Sequence, residues 1–135
     1  MSDPVDNNKG IGPPRKKILC VDDDPYILST LMRFFRNDEY EVMLASSAEQ
    51  GEELISRSGP VDVVLCDFRM PGINGIDFLK QVHRTSPDTN TILLSGSIDN
   101  QTLLAALADN FLFQFLPKPW CRSQLRATID AALNR

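Results

Sequence analysis

The chain has 135 residues, 42% of them hydrophobic and 24% charged, the make-up of a single soluble globular domain long enough to bury a core. Its net charge of −4 argues against a nucleic-acid-binding surface. No apolar run approaches the roughly 18 residues needed to span a bilayer, and three cysteines with no CxxC pair argue for a reducing, cytoplasmic setting.

Residues 1–16, MSDPVDNNKGIGPPRK, carry Pro, Gly, Asn and charge with little to bury. A disordered N-terminal tail is expected there, with the folded domain over 17–135. KILCV (17–21) reads as the first strand. Pro25 suits a first helical turn, and Ile27, Leu31 and Phe35 then fall on one face at i, i+4 and i+8. EVMLA (41–45) reads as the second strand. The stretch from Ser47 to about Arg57 reads as a helix capped by Ser47, with Ala48, Gly51 and Ile55 inward and a Ser-Gly-Pro stop at 58–60.

VDVVLC (61–66) is the third predicted strand, followed by a Pro-Gly turn and a helix from about Asn74 to Arg84 with Ile76, Leu79 and Val82 inward. TILLS (91–95) is the fourth strand, and residues 100–109 make a short Leu/Ala-rich helix. FQFL (113–116) is the fifth strand, and 122–134 the last helix, with Leu125, Ile129 and Leu133 inward. Strands apolar along their whole length, each followed by an amphipathic helix, imply a parallel sheet covered on both faces. The expected fold class is α/β, a five-stranded doubly wound parallel sheet.

Ligands of such sheets bind at the carboxyl ends of the strands. Asp22, Asp23 and Asp24 follow the first strand, and Asp67 ends the third. The fourth ends in Ser95-Gly96-Ser97, and the fifth is followed by Pro117-Lys118-Pro119. Asp22, Asp23 and Asp67 need a cation to sit together ionised, and hard oxygen ligands select Mg²⁺, which also binds phosphate. With that charge neutralised Asp67 can act as a nucleophile toward phosphorus. Lys118 would balance a phosphoryl group, Ser95 would donate to one of its oxygens, and Gly96 leaves room for the backbone to approach.

The four ordered blocks ILCVDDDP, VLCDFRMPGINGIDFLK, TILLSGS and FLPKPW resemble the receiver domains of bacterial two-component response regulators. The resemblance runs from Lys17 to about Leu133. It implies the chemotaxis-receiver-like, flavodoxin-like (βα)5 fold, with Asp67 as phosphoacceptor and Asp22 and Asp23 as the acidic pair serving Mg²⁺. The backbone carbonyl of Arg69 completes the implied metal shell. Ser95 takes the switch hydroxyl position, Lys118 the conserved-type lysine with a cis peptide before Pro119, and Phe115 the aromatic switch position. A sensor histidine kinase or phosphotransfer protein is the implied phosphodonor. An output domain or partner protein would read the face of the fourth helix, fifth strand and fifth helix, through which a homodimer is also open. The chain ends just past the last helix, which leaves a stand-alone receiver and one cut from a larger regulator both open. On this reading the domain catalyses its own phosphotransfer and dephosphorylation and acts on no external substrate.

Each feature also has a plainer reading. Asp24 can simply start the first helix near the favourable end of its dipole, Ser97 can be a turn residue, and the single histidine, His83, sits late in a helix as a solvated side chain. Cys20 and Cys66 read as small buried hydrophobes. Trp120 stands close enough to the site to meet a partner, and Arg69, two residues past Asp67, could reach a phosphoryl group. Two departures from the family pattern stand out. ALADNFLFQFLPKPW lacks the Gly-Ala usual before the fifth strand, and Cys121 takes a cap position where Asp is frequent, so a weaker helix start is expected. Two other functions compete with the switch. An aspartate-nucleophile phosphatase carries DxDx(T/V) after its first strand, whereas Tyr26 holds the fifth position here and the nucleophile follows the third strand. A phosphorylation-independent interaction module would be expected to have lost some of Asp22, Asp23, Asp67, Ser95 and Lys118.

Overall fold

The computed structural model describes residues 15–134, so most of the expected N-terminal tail, and Arg135, lie outside the described residues. The chain alternates strand and helix throughout: β1 (Lys17–Val21), α1 (Pro25–Phe34), β2 (Glu41–Ala45), α2 (Ala48–Ser58), β3 (Val63–Asp67), α3 (Gly75–Thr85), β4 (Asn90–Ser95), α4 (Asn100–Ala108), β5 (Gln114–Pro117) and α5 (Arg122–Leu133). The strands form one parallel sheet in the order β2-β1-β3-β4-β5. The order reverses direction at β1, so β1 and β3 flank the point where a doubly wound sheet leaves a crevice at its carboxyl edge.

Alternation along the strands divides the core in two. Leu19, Val21, Val64, Cys66 and Leu93 face one layer with Phe78, Leu79 and Val82 of α3, Ala48 at the start of α2, and Ala106 of α4. Ile18, Cys20, Val63, Leu65, Ile92 and Leu94 face the other, with Leu31 and Phe34 of α1 and Leu125, Ile129 and Ala132 of α5. Both faces of the three central strands are buried, which is why they read as largely apolar runs. The inward residues expected on the helices are inward, with Ile27, Ile55 and Leu133 only half-buried at the rims.

The helices start where side chains satisfy their free amides. Asp24 Oδ1 accepts from the Tyr26 amide at 2.9 Å, Ser47 Oγ from Gln50 at 3.1 Å, Asn74 Oδ1 from Asp77 at 2.9 Å and Asp99 Oδ1 from Thr102 at 2.8 Å. At α5 the Cys121 amide itself donates to Gln124 Oε1 at 3.1 Å, half of a capping box, so this start is tied down without an Asp. In the loop before β5, Asn110 takes the left-handed turn with φ 60°, a conformation asparagine tolerates, in place of the usual glycine. The strand that follows begins one residue later than its apolar pattern suggests, at Gln114, and runs to Pro117.

Gly75 opens α3 against the end of β3. Its amide donates to the Phe68 carbonyl at 2.9 Å, and a Cβ there would press on the Asp67 carbonyl oxygen, lying 2.9 Å from the carbonyl carbon and 3.0 Å from Phe68 Cα. Only glycine lets the helix begin this close to the strand end.

Candidate acidic phosphoacceptor site

Four strand ends meet at the carboxyl edge. Asp22 is almost fully buried just past β1, Asp67 is buried as the last residue of β3, and Lys118 reaches back from just past β5. Lys118 Nζ lies 2.8 Å from Asp22 Oδ2 and 2.9 Å from Asp67 Oδ1, so one ammonium bridges both acids. The other oxygen of Asp22, Oδ1, accepts from the Asp24 amide at 2.9 Å. Asp22 is thereby fixed from two sides. Asp23 is exposed at the rim, and one oxygen from each of Asp22, Asp23 and Asp67 lies within 4.8 Å of the others.

Three carboxylates therefore share one ammonium. Burial pushes the Asp67 carboxyl above its usual range, Lys118 pulls it back, and the neighbouring Asp22 adds to the rise. Burial alone would lower the Lys118 ammonium, but its bonds to Asp22 and Asp67 outweigh that, and its pKa is raised. The donor set is all oxygen and carries more negative charge than Lys118 cancels, so it fits a hard divalent cation. Asp24 is outside the cluster: its carboxylate caps α1, as the plainer reading of that residue holds.

Ser95 closes β4 beside Asp67, and its buried Oγ accepts from the Ser97 amide at 3.1 Å. Its carbonyl accepts from the Lys118 amide at 2.9 Å, and a Cβ at Gly96 would touch the Lys118 carbonyl and Cβ at 3.4 Å, so this loop and the Lys118 loop run in close contact. The Lys118–Pro119 peptide is cis. Phe115 sits in mid-β5, paired with Leu93 and half-buried against the layer that contains α4. Trp120 lines a cleft beside Lys118 with Tyr26, Ile27, Thr30 and Pro119.

Two features of the site have no counterpart in the sequence reading. Arg69 donates from Nε to Ser97 Oγ at 2.7 Å and from a terminal nitrogen toward the Ser97 carbonyl at 3.5 Å, so Ser97 is more than a turn residue. Gly75 is the other, and Pro-Gly-Ile-Asn-Gly in the sequence signals only a turn and a helix start. His83 lies far down α3 and takes no part.

A family model for the response regulator receiver domain matches residues 18–130. The chain belongs to the response regulator receiver domain family. This receiver is 35% identical over 117 residues to the hydrogenase transcriptional regulatory protein HoxA of Cupriavidus necator, a match covering 87% of the chain and 24% of that regulator. It thus spans about a quarter of that relative's length. Among solved structures, the signal receiver domain of an HD domain-containing protein from Pseudomonas fluorescens Pf-5 matches with a TM-score of 0.85 at 28% identity, covering 91% of this chain and 90% of that one. A structure described as adenylate cyclase from Rhodopirellula baltica matches with a TM-score of 0.82 at 33% identity, covering 89% and 88%. The chain is thus a receiver domain homologous to those of response regulators, with the α/β fold expected from its strand pattern. Among the described residues no helix is long and apolar enough to cross a membrane.

Proposed function

We propose that Asp67 is the residue phosphorylated in this receiver, in a reaction dependent on Mg²⁺, and that Ser95 and Phe115 carry the resulting change to the α4–β5–α5 face. One observation carries the reading: Lys118 bridges Asp67 and Asp22 at 2.9 and 2.8 Å while Asp23 completes an oxygen cluster within 4.8 Å. Asp22, Asp23, Asp67 and the Arg69 backbone carbonyl would hold the metal. Bound there, it neutralises the carboxylates and the incoming phosphoryl oxygens.

The chain's own residues do the rest. An oxygen of the Asp67 carboxylate attacks the phosphorus of a phosphohistidine on a sensor kinase or phosphotransfer protein. The P–O bond forms as the P–N bond breaks, and the leaving nitrogen keeps the electron pair and takes a proton from water. Lys118, already on Asp67, meets the new charge of about −1.5 to −2 on the phosphoryl group. Ser95 Oγ accepts from the Ser97 amide, and so still has its own proton to give to a phosphoryl oxygen. Phe115 then fills the space that Ser95 leaves. The face so altered is where an output domain, a partner protein or a second copy would bind, and the phosphoryl group acts by shifting a two-state equilibrium. Three free thiols, Cys20, Cys66 and Cys121, keep the cytoplasm as the setting of this reading.

Intact mass after incubation with phosphoramidate and Mg²⁺ tests it. A single phosphoryl adduct is expected, absent with EDTA and absent in Asp67→Asn. No adduct from any donor would leave a phosphorylation-independent interaction module in its place.

A further inference from the structure

Helices α2 and α3 flank an open cleft of 630 Å³, with Ile55 of α2 and Phe78 and Val82 of α3 in its wall. The cleft shares no residue with the acidic site. Three polar groups along it lack partners. Gln81 Oε1 is shut off from water and accepts no hydrogen bond, alone in this among buried side-chain atoms of the described residues. Thr85, one turn further on, has no proton to give it, because its hydroxyl already lies 3.0 and 3.2 Å from the carbonyls of Gln81 and Val82. Glu52 of α2 and Arg84 of α3 are exposed, and neither has an ion-pair partner among the described residues.

We propose that the α2–α3 cleft is a docking site for a partner protein, and that it takes an arginine side chain from an exposed segment of that partner. What the cleft lacks is a donor for Gln81 Oε1 and a cation for Glu52. A guanidinium supplies both at once, since it carries five N–H donors in a planar fork and no acceptor. The Gln81 amide turns about its last torsion, which is soft, to meet it. The methylene stem of the arginine then lies along Ile55, Phe78 and Val82, while the charged head stays at the mouth. Arg84 is left to donate to a backbone carbonyl of the same segment. An acidic side chain would suit Arg84 but would face Glu52 and set one acceptor against another at Gln81. The chain's net charge of −4 favours the approach of a basic partner. The inference stands apart from the assignment of Asp67.

The test follows amide resonances of the full chain on adding acetyl-Gly-Arg-Gly-amide, or its lysine or citrulline counterpart, with saturating Mg²⁺ to keep the peptides off the acidic site. Saturable shifts centred on Glu52, Ile55, Gln81 and Val82 are expected with the arginine peptide. Citrulline keeps the shape without the charge and is expected to bind about tenfold more weakly, the scale of one hydrogen bond to a charged group; lysine is also expected to bind more weakly than arginine. Glu52→Gln and Gln81→Leu are each expected to lower affinity for the arginine peptide about tenfold. Because Gln81→Leu also discards an unsatisfied acceptor, its urea midpoint is expected to match or exceed that of the wild type, so that lost binding is not lost fold. Equal binding of the three peptides, shifts centred elsewhere, no shifts, or an affinity unchanged in either variant overturns the arginine site. Cleft shifts that grow with protein concentration before any peptide is added assign the face to a second copy of the chain and overturn the partner named here.

Discussion

Replacing Gly75 by alanine adds one methyl group at the tightest point behind Asp67. The methyl would press on the carbonyl of Asp67 and lie 3.0 Å from Phe68 Cα, and neither atom belongs to a side chain that can rotate away. Relief must come from the backbone, by pushing α3 off the sheet or by moving the end of β3. Overpacking of this kind costs about 1–3 kcal/mol, offset by at most ~1 kcal/mol from the better helix propensity of alanine. A net loss of about 1–2 kcal/mol is expected, readable as a lower midpoint in urea with an unchanged m-value. The companion variant Gly51→Ala separates backbone from side-chain resistance. Its methyl would meet Phe78 Cζ at 3.1 Å and Val21 Cγ2 at 3.4 Å, both side-chain atoms, so a smaller loss is expected with no effect on phosphorylation. Gly75→Ala should also slow phosphoryl transfer, because it shifts the backbone that carries Asp67. A Gly75→Ala protein as stable as the wild type, and phosphorylated at the same rate, would refute the claim that this contact positions the site.

Two further outcomes follow from the charges. Burial raises the pKa of Asp67, so the folded domain holds its proton more tightly than the unfolded chain, and the ionised group costs stability once pH rises above the unfolded value of about 3.9. Without metal, Asp67→Asn is therefore expected to be more stable than the wild type at pH 7 in urea titrations, with the gain shrinking as pH falls toward 4; an equal or lower stability at pH 7 would count against the burial argument. The adjacent acids should separate by role. Asp24→Ala removes a cap and should lower stability by about 1 kcal/mol with Mg²⁺ affinity kept, whereas Asp23→Ala should abolish the Mg²⁺-dependent rise in melting temperature with little effect on the metal-free protein.

What could be read ahead of the coordinates depended on whether a feature repeats along the chain. The strands did, because both faces of β1, β3 and β4 are buried and the apolar runs are unbroken. Asp22, Asp67, Ser95 and Lys118 could be placed because each ends a strand or follows directly on one, and a parallel sheet brings those ends to one edge whatever the loops do. Asp22 and Asp23 of the acidic cluster could not be told from Asp24 by residue type, since all three are aspartates; which one turns outward to cap α1 depends on where the helix starts. The fifth strand misled by one residue because Phe113 is half-buried in the α1/α5 layer and its amide donates to the Thr91 carbonyl of β4 at 2.8 Å, one residue before the paired register begins at Gln114. The Arg69–Ser97 bond and the close approach at Gly75 have no periodic signature at all. They arise from the path of two loops through space, and a glycine that permits a close contact looks in sequence like one that permits a turn.

The five helices do not hold equal stakes in the core. Helix α3 buries five of its residues, whereas α4 buries Ala106 alone and turns Leu104 and Leu107 outward. Displacing α3 would open the centre of the molecule. Displacing α4 would uncover Ala106 and the half-buried Thr102 and Leu103, fewer buried residues than α3 holds. A phosphoryl group has only a modest free energy with which to work on the rest of the domain, and it is best used on the element that resists least. The thin anchoring of α4 marks the domain's compliant part, set at the end of the loop that Ser95 and Ser97 begin.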